Sequence, residues 1–216
     1  GMVEVGRRLG QARQRKYFER FGFGEPAGID LPGEAEGNVA NLKTGRDIDV
    51  ATVSFGHGVA VTPIQTAVAI AAIANGGTLV RPYVVDRIVE NSGNVVMMIP
   101  EKKRRVIAAG TGEEMTKMLV STVRNGFENR AGVDGYFVAG KTGTAQIPKS
   151  GSPGYDEDRV IHSFVGYAPA FEPRFLIYIQ LNEPVGNRFA ANTLTPAFHD
   201  LAEFILNYYE IPPDER

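Results

Sequence analysis

Cysteine is absent from the chain, which excludes a disulfide framework and thiolate metal sites. The absence does not identify a compartment, because exported proteins often have none. Charge of one sign is lacking too: 23 lysines and arginines against 25 aspartates and glutamates leave a formal net charge of −2. The overall basicity of a protein built for phosphate backbones is therefore missing, and no nucleic-acid partner is expected. Long apolar runs are also missing. The longest, residues 59–74, is interrupted by Thr62, Pro63, Gln65 and Thr66 and falls short of the ~20 residues of a membrane helix, so it reads as a buried core helix. The first residues show no charged stretch leading into an apolar one with a small-residue cleavage site, so no signal peptide is visible.

What is present is ordinary for a folded chain. The 216 residues are 43% hydrophobic, 22% charged and 9% aromatic, which excludes disorder, collagen and coiled coil. That length suits one domain, 1–216, and no repeat, low-complexity tract or linker divides it. The 25 glycines and 13 prolines are spread unevenly and cluster where the motifs lie.

Residues 2–21 set Val5, Leu9, Tyr17, Phe18 and Phe21 among arginines and a lysine, a spacing that predicts a helix with one apolar side. Gly22-Phe23-Gly24 and Gly28-Ile29-Asp30-Leu31-Pro32-Gly33-Glu34 read as an ordered surface loop. Thr62-Pro63-Ile64-Gln65 is a capping box opening a helix that Asn75-Gly76-Gly77 ends. Residues 81–90 and 95–99 predict a β-hairpin around Asn91-Ser92-Gly93-Asn94. Residues 102–105 are a basic run that reads as a solvated loop. Thr111-Gly112-Glu113-Glu114 is a second capping box, with its helix ending near Gly126. Two strands follow over residues 161–168 and 174–181. A last helix is capped by Thr195-Pro196 and turns Phe198, Leu201, Ile205 and Tyr208 inward. Short turns between strands with helices around them indicate an α+β fold with an antiparallel sheet.

The most informative stretch is Gly135-Tyr136-Phe137-Val138-Ala139-Gly140-Lys141-Thr142-Gly143-Thr144-Ala145-Gln146. By letter, residues 135–142 satisfy the phosphate-loop pattern G-x-x-x-x-G-K-[ST]. That loop needs a strand before its first glycine and a helix starting at Lys-Thr, because a helix N-terminus holds the anion. Here the upstream residues are turn-like, residues 136–139 are strand-like, and Gly143, Pro148, Gly151 and Pro153 leave no room for a helix.

The other reading takes Lys141-Thr142-Gly143 as the tail of a strand and as the third element of the serine-acylation set Ser-x-x-Lys, Ser-x-Asn, Lys-Thr-Gly. Lys141 then supplies a fixed positive charge near nucleophile and substrate carboxylate. Thr142 and Thr144, two apart on a strand, point the same way and can both hydrogen-bond that carboxylate. Gly143 keeps the strand edge bare for an extended peptide, and the Thr144 N–H can serve as an oxyanion donor. Alternation sets Lys141 on the face opposite the threonines, so its stem has to curl round the edge or the strand has to twist.

Residues 138–146 resemble the active-site strand of class B penicillin-binding proteins, the peptidoglycan D,D-transpeptidases of bacterial division and elongation. Further blocks agree in order: Phe21-Gly22-Phe23-Gly24, Gly28-Ile29-Asp30-Leu31-Pro32-Gly33-Glu34, Val50-Ala51-Thr52-Val53-Ser54-Phe55-Gly56-His57-Gly58 with Val61-Thr62-Pro63, Ala74-Asn75-Gly76-Gly77, and Ser163-Phe164-Val165-Gly166-Tyr167-Ala168-Pro169. The resemblance implies a transpeptidase fold like that of serine β-lactamases. It implies covalent serine catalysis on stem peptides ending in D-Ala-D-Ala, trapping by β-lactams, and no cofactor, metal or nucleotide. It places the complete protein on the cytoplasmic membrane, its catalytic domain on the periplasmic or extracellular face, among the cell-wall synthesis machinery. Site residues carried over are Lys141 and Thr144 as catalytic, with Thr142, Gly143 and Thr144 binding substrate.

One departure matters: no serine in the chain begins Ser-x-x-Lys. Ser92-Gly93-Asn94 fits Ser-x-Asn by letter but reads as a turn. The expectation is therefore the C-terminal portion of a single transpeptidase domain, with the nucleophile on a missing upstream segment that also supplies two of the family's five strands. Three strands would remain, with an inner edge prone to association. A β-lactam-binding sensor module of the same fold is the alternative, set apart by loss of Ser-x-x-Lys upstream; a nucleotide-binding protein would instead bind ATP with magnesium. His57, His162 and His199 are too scattered to predict a metal set, and Asp156-Glu157-Asp158 reads as a solvated loop between strands. Residues 146–158 are expected to border the substrate cleft, and residues 54–58 to form a packing turn.

Overall fold

A glycine breaks the first element. In the computed structural model, whose described residues are 1–214, the helix predicted over 2–21 is two: α1 (Met2–Leu9) and α2 (Gln11–Arg20), separated by Gly10 at φ 75°, ψ 158°. The predicted apolar side forms only in part: Phe18 and Phe21 pack against buried clusters, whereas Val5 and Tyr17 are 54% and 40% exposed. Small and polar groups add further contact. A Cβ on Gly6 would lie 2.5 Å from Ser54 Cβ, and Gln14 Nε2 donates to Val50 O at 3.1 Å.

The chain divides into two compact units: residues 1–72 with 77–108, and residues 73–76 with the chain from 109 onward. In the first unit, α3 (Asp47–Val53) buries Val50, Ala51 and Val53. The capping box forms as the sequence predicts at the start of α4 (Pro63–Ala74), where Thr62 N donates to Gln65 Oε1 (2.9 Å) and Gln65 N to Thr62 Oγ1 (3.2 Å). Gln65 Nε2 also donates to the carbonyls of Glu25 and Glu36, so one side chain both caps the helix and holds the loop before it. That loop is further ordered by two carboxylates. Glu34 takes the N–H groups of Ala27 and Gly28, and Asp30 those of Val84 and Val85, bonds that hold Asp30 below the usual carboxylate range.

The basic run is not a solvated loop. It is strand β4 (Lys102–Arg105), paired antiparallel with β1 (Thr78–Val80). Its charges are engaged by main-chain carbonyls: Lys103 Nζ donates to Ala27 O (2.6 Å), and Arg104 to Arg20 O (2.8 Å) and Glu19 O (2.7 Å). Composition could not show this, because long basic side chains stay partly wet while their donors reach acceptors distant in sequence. Between β1 and β4 the predicted hairpin forms from β2 (Arg87–Val89) and β3 (Val95–Met97), and Ser92-Gly93-Asn94 is its turn, with Gly93 at φ 85°.

The second unit is built on α5 (Ala109–Asn125), β5 (Ala139–Pro148), β6 (Tyr155–Ala168), β7 (Phe175–Asn182), a short α6 (Ala190–Thr193) and α7 (Thr195–Tyr208). Helix α5 starts at Ala109, so Thr111 lies inside its first turn and is not the predicted cap. The three strands form one antiparallel sheet in the order β5-β6-β7. Thr195 likewise is the first residue of α7 and not its cap, with its hydroxyl donating back to Ala191 O. The buried side of α7 is Thr195, Phe198, Ala202 and Leu206, whereas Leu201 and Tyr208 are 45% and 68% exposed. At about 100° per residue the buried four share an arc of about 80°, and Leu201 and Tyr208 fall outside it.

The packing of α7 explains two glycines. Gly140 and Gly166 are directly opposed on β5 and β6. A Cβ on Gly140 would lie 2.7 Å from the Phe164 ring, and one on Gly166 2.7 Å from the Phe198 ring. The two rings, 4.7 Å apart between centroids and fully buried, thus lie in a hollow that only missing side chains provide. Gly166→Ala is expected to destabilise the protein by about 1–3 kcal/mol through overpacking, read as a lower urea midpoint with an unchanged slope. A change within about 0.3 kcal/mol would show that Phe198 yields freely.

Candidate functional site

Lys141, Thr142 and Gly143 are the third to fifth residues of the ten-residue β5 and not its tail. The strand runs on to Pro148, so no helix starts at Lys-Thr and the phosphate-loop reading falls: an extended backbone has no converging helix N–H groups with which to hold an anion. Among the described residues, β5 has β6 on one side and no strand on the other, so the motif lies on a sheet edge.

Which backbone groups face that edge follows from the register. Glu183 N donates to Val160 O, so even-numbered residues of β6 turn their backbone groups toward β7 and odd-numbered ones toward β5. The partners of the odd-numbered residues, Lys141, Gly143 and Ala145, are therefore tied to β6. Thr142 and Thr144 consequently present their N–H and C=O groups along the outer edge.

The lysine behaves as alternation requires. Starting on the face opposite the threonines, its stem curls round the edge and brings Nζ 2.9 Å from Thr142 O and 3.4 Å from Thr142 Oγ1. Partial desolvation by the surrounding protein lowers the Lys141 pKa below that of a free lysine, because it disfavours the charged form, although the side chain remains exposed. The motif thus gathers an ammonium, the Thr142 hydroxyl and outward N–H groups on one edge. Thr144 Oγ1 accepts from Ala190 N at 3.2 Å, which anchors the first turn of α6 to β5 and leaves the hydroxyl proton able to donate elsewhere.

Sequence reasoning missed the residues of β6 behind the motif. Ser163 opposes Gly143, and His162 opposes Thr144. His162 is fully buried with Nδ1 2.9 Å from Thr193 Oγ1, and that hydroxyl donates to Ala190 O at 3.3 Å. His162, Thr193 and Ala190 therefore form a hydrogen-bonded chain that ends on Thr144. The only sequence signal was the strand pattern of residues 161–168, which does not give the register. The other histidines lie apart: His57 is against the Phe55 ring, and His199 Nδ1 donates to Gly132 O. Asp156-Glu157-Asp158 begins β6 and is not a loop between strands. The Asp156 carboxylate takes the N–H groups of Asp158 and Arg159, which keep its pKa below the usual range and make it a turn-holding group within an irregular strand start. The connection after the motif strand is accordingly only residues 149–154.

An α+β unit whose antiparallel sheet ends on a Lys-Thr-Gly edge strand has the architecture of the penicillin-recognising transpeptidases. The family model for the penicillin binding protein transpeptidase domain matches residues 1–203, across both compact units. Among curated proteins, the chain is 42% identical to stage V sporulation protein D of Bacillus subtilis over 86% of its own length and 29% of that protein's. It is 31% identical to penicillin-binding protein PbpB of Mycobacterium tuberculosis over 98% of its length and 32% of that protein's. Among solved structures, penicillin-binding protein 3 of M. tuberculosis complexed with ampicillin superposes with a TM-score of 0.89 at 31% identity, covering 98% of this chain and 49% of that one. The transpeptidase domain of Burkholderia pseudomallei penicillin-binding protein 3 gives 0.85 at 30% identity, covering 100% and 63%. The chain belongs to the penicillin-binding protein transpeptidase family, and it spans about a third of the length of the curated relatives it matches.

Proposed function

We propose that this chain supplies the Lys-Thr-Gly wall of the active site of a peptidoglycan D,D-transpeptidase. The observation that carries the proposal is the free edge of β5, where Lys141 Nζ, the Thr142 hydroxyl and the outward N–H groups of Thr142 and Thr144 converge. An extended stem peptide ending in D-Ala-D-Ala can add to this edge as a further strand, its backbone pairing with the outward groups. Lys141 and the hydroxyls of Thr142 and Thr144 hold its terminal carboxylate, Gly143 leaves the edge bare, and the Thr144 N–H stabilises the oxyanion.

No Ser-x-x-Lys occurs in the chain, so the nucleophile comes from residues outside it, as part of the same transpeptidase domain. The serine oxygen attacks the penultimate carbonyl, the terminal D-Ala leaves with a proton as the free amine, and the acyl group is held as an ester. An amine of a neighbouring strand then attacks that ester and returns the proton to the serine. β-Lactams follow the first half-reaction by ring opening and persist as the acyl-enzyme. Chemistry on peptidoglycan places the working protein outside the cytoplasmic membrane, anchored with other cell-wall enzymes. Among the described residues no helix is long and apolar enough to cross a membrane, so the anchor in this proposal also lies outside the chain.

The test is labelling. The full-length protein is expected to take up a fluorescent penicillin as a band that survives denaturation and is competed by unlabelled β-lactam, whereas residues 1–216 alone are expected to remain unlabelled. Failure of the full-length protein to label would overturn the proposal, and labelling of the isolated chain would place the nucleophile within it.

A further inference from the structure

We infer that Ser163 sets the requirement for glycine at position 143 of this site: its hydroxyl occupies the space of the side chain that residue 143 lacks, so that a side chain there would displace the Gly143–Thr144 peptide on the free edge of β5. The inference rests on the proposed function for its catalytic meaning. The backbone at Gly143 does not call for glycine, because this position is not among those in the left-handed region. Space does. A Cβ built on Gly143 would lie 2.4 Å from Ser163 Oγ but 3.8 Å from Ser163 Cβ, so the hydroxyl alone fills the gap.

That hydroxyl borders a polar row. Ser163 is the diagonal neighbour of Tyr178 on β7, Tyr178 donates to Gln180 Oε1 at 2.9 Å, and Gln180 Nε2 donates to Asn182 Oδ1 at 2.8 Å. With the phenolic proton committed to Gln180, the Tyr178 oxygen is left as an acceptor for the Ser163 hydroxyl. A polar row therefore crosses the sheet from β7 to the residue directly opposite Gly143, on the face from which the Lys141 stem starts. A side chain at 143 has two outlets. It turns Ser163 off Tyr178, or it pushes β5 away from β6 and carries the Thr144 N–H with it. The second outlet reaches the oxyanion donor, where a misplacement of about 1 Å costs on the order of 10²-fold in rate.

The experiment is a double-mutant cycle in the full-length protein, reading separately the affinity for a fluorescent penicillin and the first-order acylation step. Gly143→Ala is expected to slow acylation by about 30–100-fold with affinity little changed. Ser163→Ala alone is expected to slow it by less than about tenfold, because the glycine leaves the strand where it was. The double variant is expected within about fivefold of Ser163→Ala, since only the ordinary contact to Cβ remains. Tyr178→Phe, which removes the acceptor beside Ser163, is expected to relieve Gly143→Ala in part. A double variant as slow as Gly143→Ala would overturn the inference and assign the glycine to ligand clearance alone. Should the wild type fail to label, the proposed function falls and the same cycle is read by thermal melting. There Gly143→Ala lowers the melting temperature and added Ser163→Ala restores it, and additive effects overturn the inference.

Discussion

Lys141→Ala in the full-length protein is expected to slow acylation by penicillin by about 10²–10³-fold. The alanine removes the ammonium that reaches the edge of β5, and with it a charge-assisted partner for a carboxylate that neutral hydroxyls hold more weakly. The pH dependence gives a second reading of the same charge. Partial desolvation holds Lys141 below a free lysine, so its proton is lost earlier as pH rises. The acylation rate is therefore expected to fall on the alkaline side at a pH below that at which a free lysine titrates. Lys141→Arg, which cannot lose its proton in this range, is expected to abolish that limb while retaining part of the rate. Equal rates for wild type and Lys141→Ala would remove Lys141 from the site.

Phe198→Ala is expected to have the largest effect on stability, a loss of about 3–5 kcal/mol. The ring is fully buried, packs at a tilt against Phe164 and sits where Gly166 has no side chain, so truncation opens a cavity on both sides of the contact. Against a typical total of about 5–15 kcal/mol, that is enough to leave part of the population unfolded at 37 °C. Urea unfolding checks the size, and Phe198→Leu is expected to lose about half as much or less, because part of the space stays filled. A loss below about 1 kcal/mol for Phe198→Ala would mean that α7 collapses onto β6 without it.

Local chemistry was legible at the start of α4 and at the hairpin turn, though not at Thr111 or Thr195, which lie inside their helices and do not cap them. Thr62 and Gln65 satisfy each other's N–H groups within one turn, and Gly93 turns a hairpin whose strands flank it directly. The lysine motif was legible for the same reason, up to the choice between a Lys141 stem curling round the strand edge, which the structure shows, and a twisted strand. Elsewhere the partners were distant. The basic residues 103 and 104 read as solvated because their acceptors, Arg20 O and Ala27 O, lie more than seventy positions away. The apolar stripe of α7 was placed correctly at Phe198 but one residue off beyond it, because Ala202 carries little signal while Leu201 and Tyr208 carry much.

The amino-acid order by itself determined an α+β family with a Lys-Thr-Gly strand, since those residue types define the chemistry whatever surrounds them. It also determined that no Ser-x-x-Lys lies in the chain. Only the tertiary structure decided that Thr142 and Thr144 turn their backbone groups outward and that Ser163 stands against Gly143. Each of these depends on the register between strands. Register is set by packing and turn geometry across the whole sheet, and a shift of one residue would turn every side chain and every hydrogen bond of the site to the opposite side.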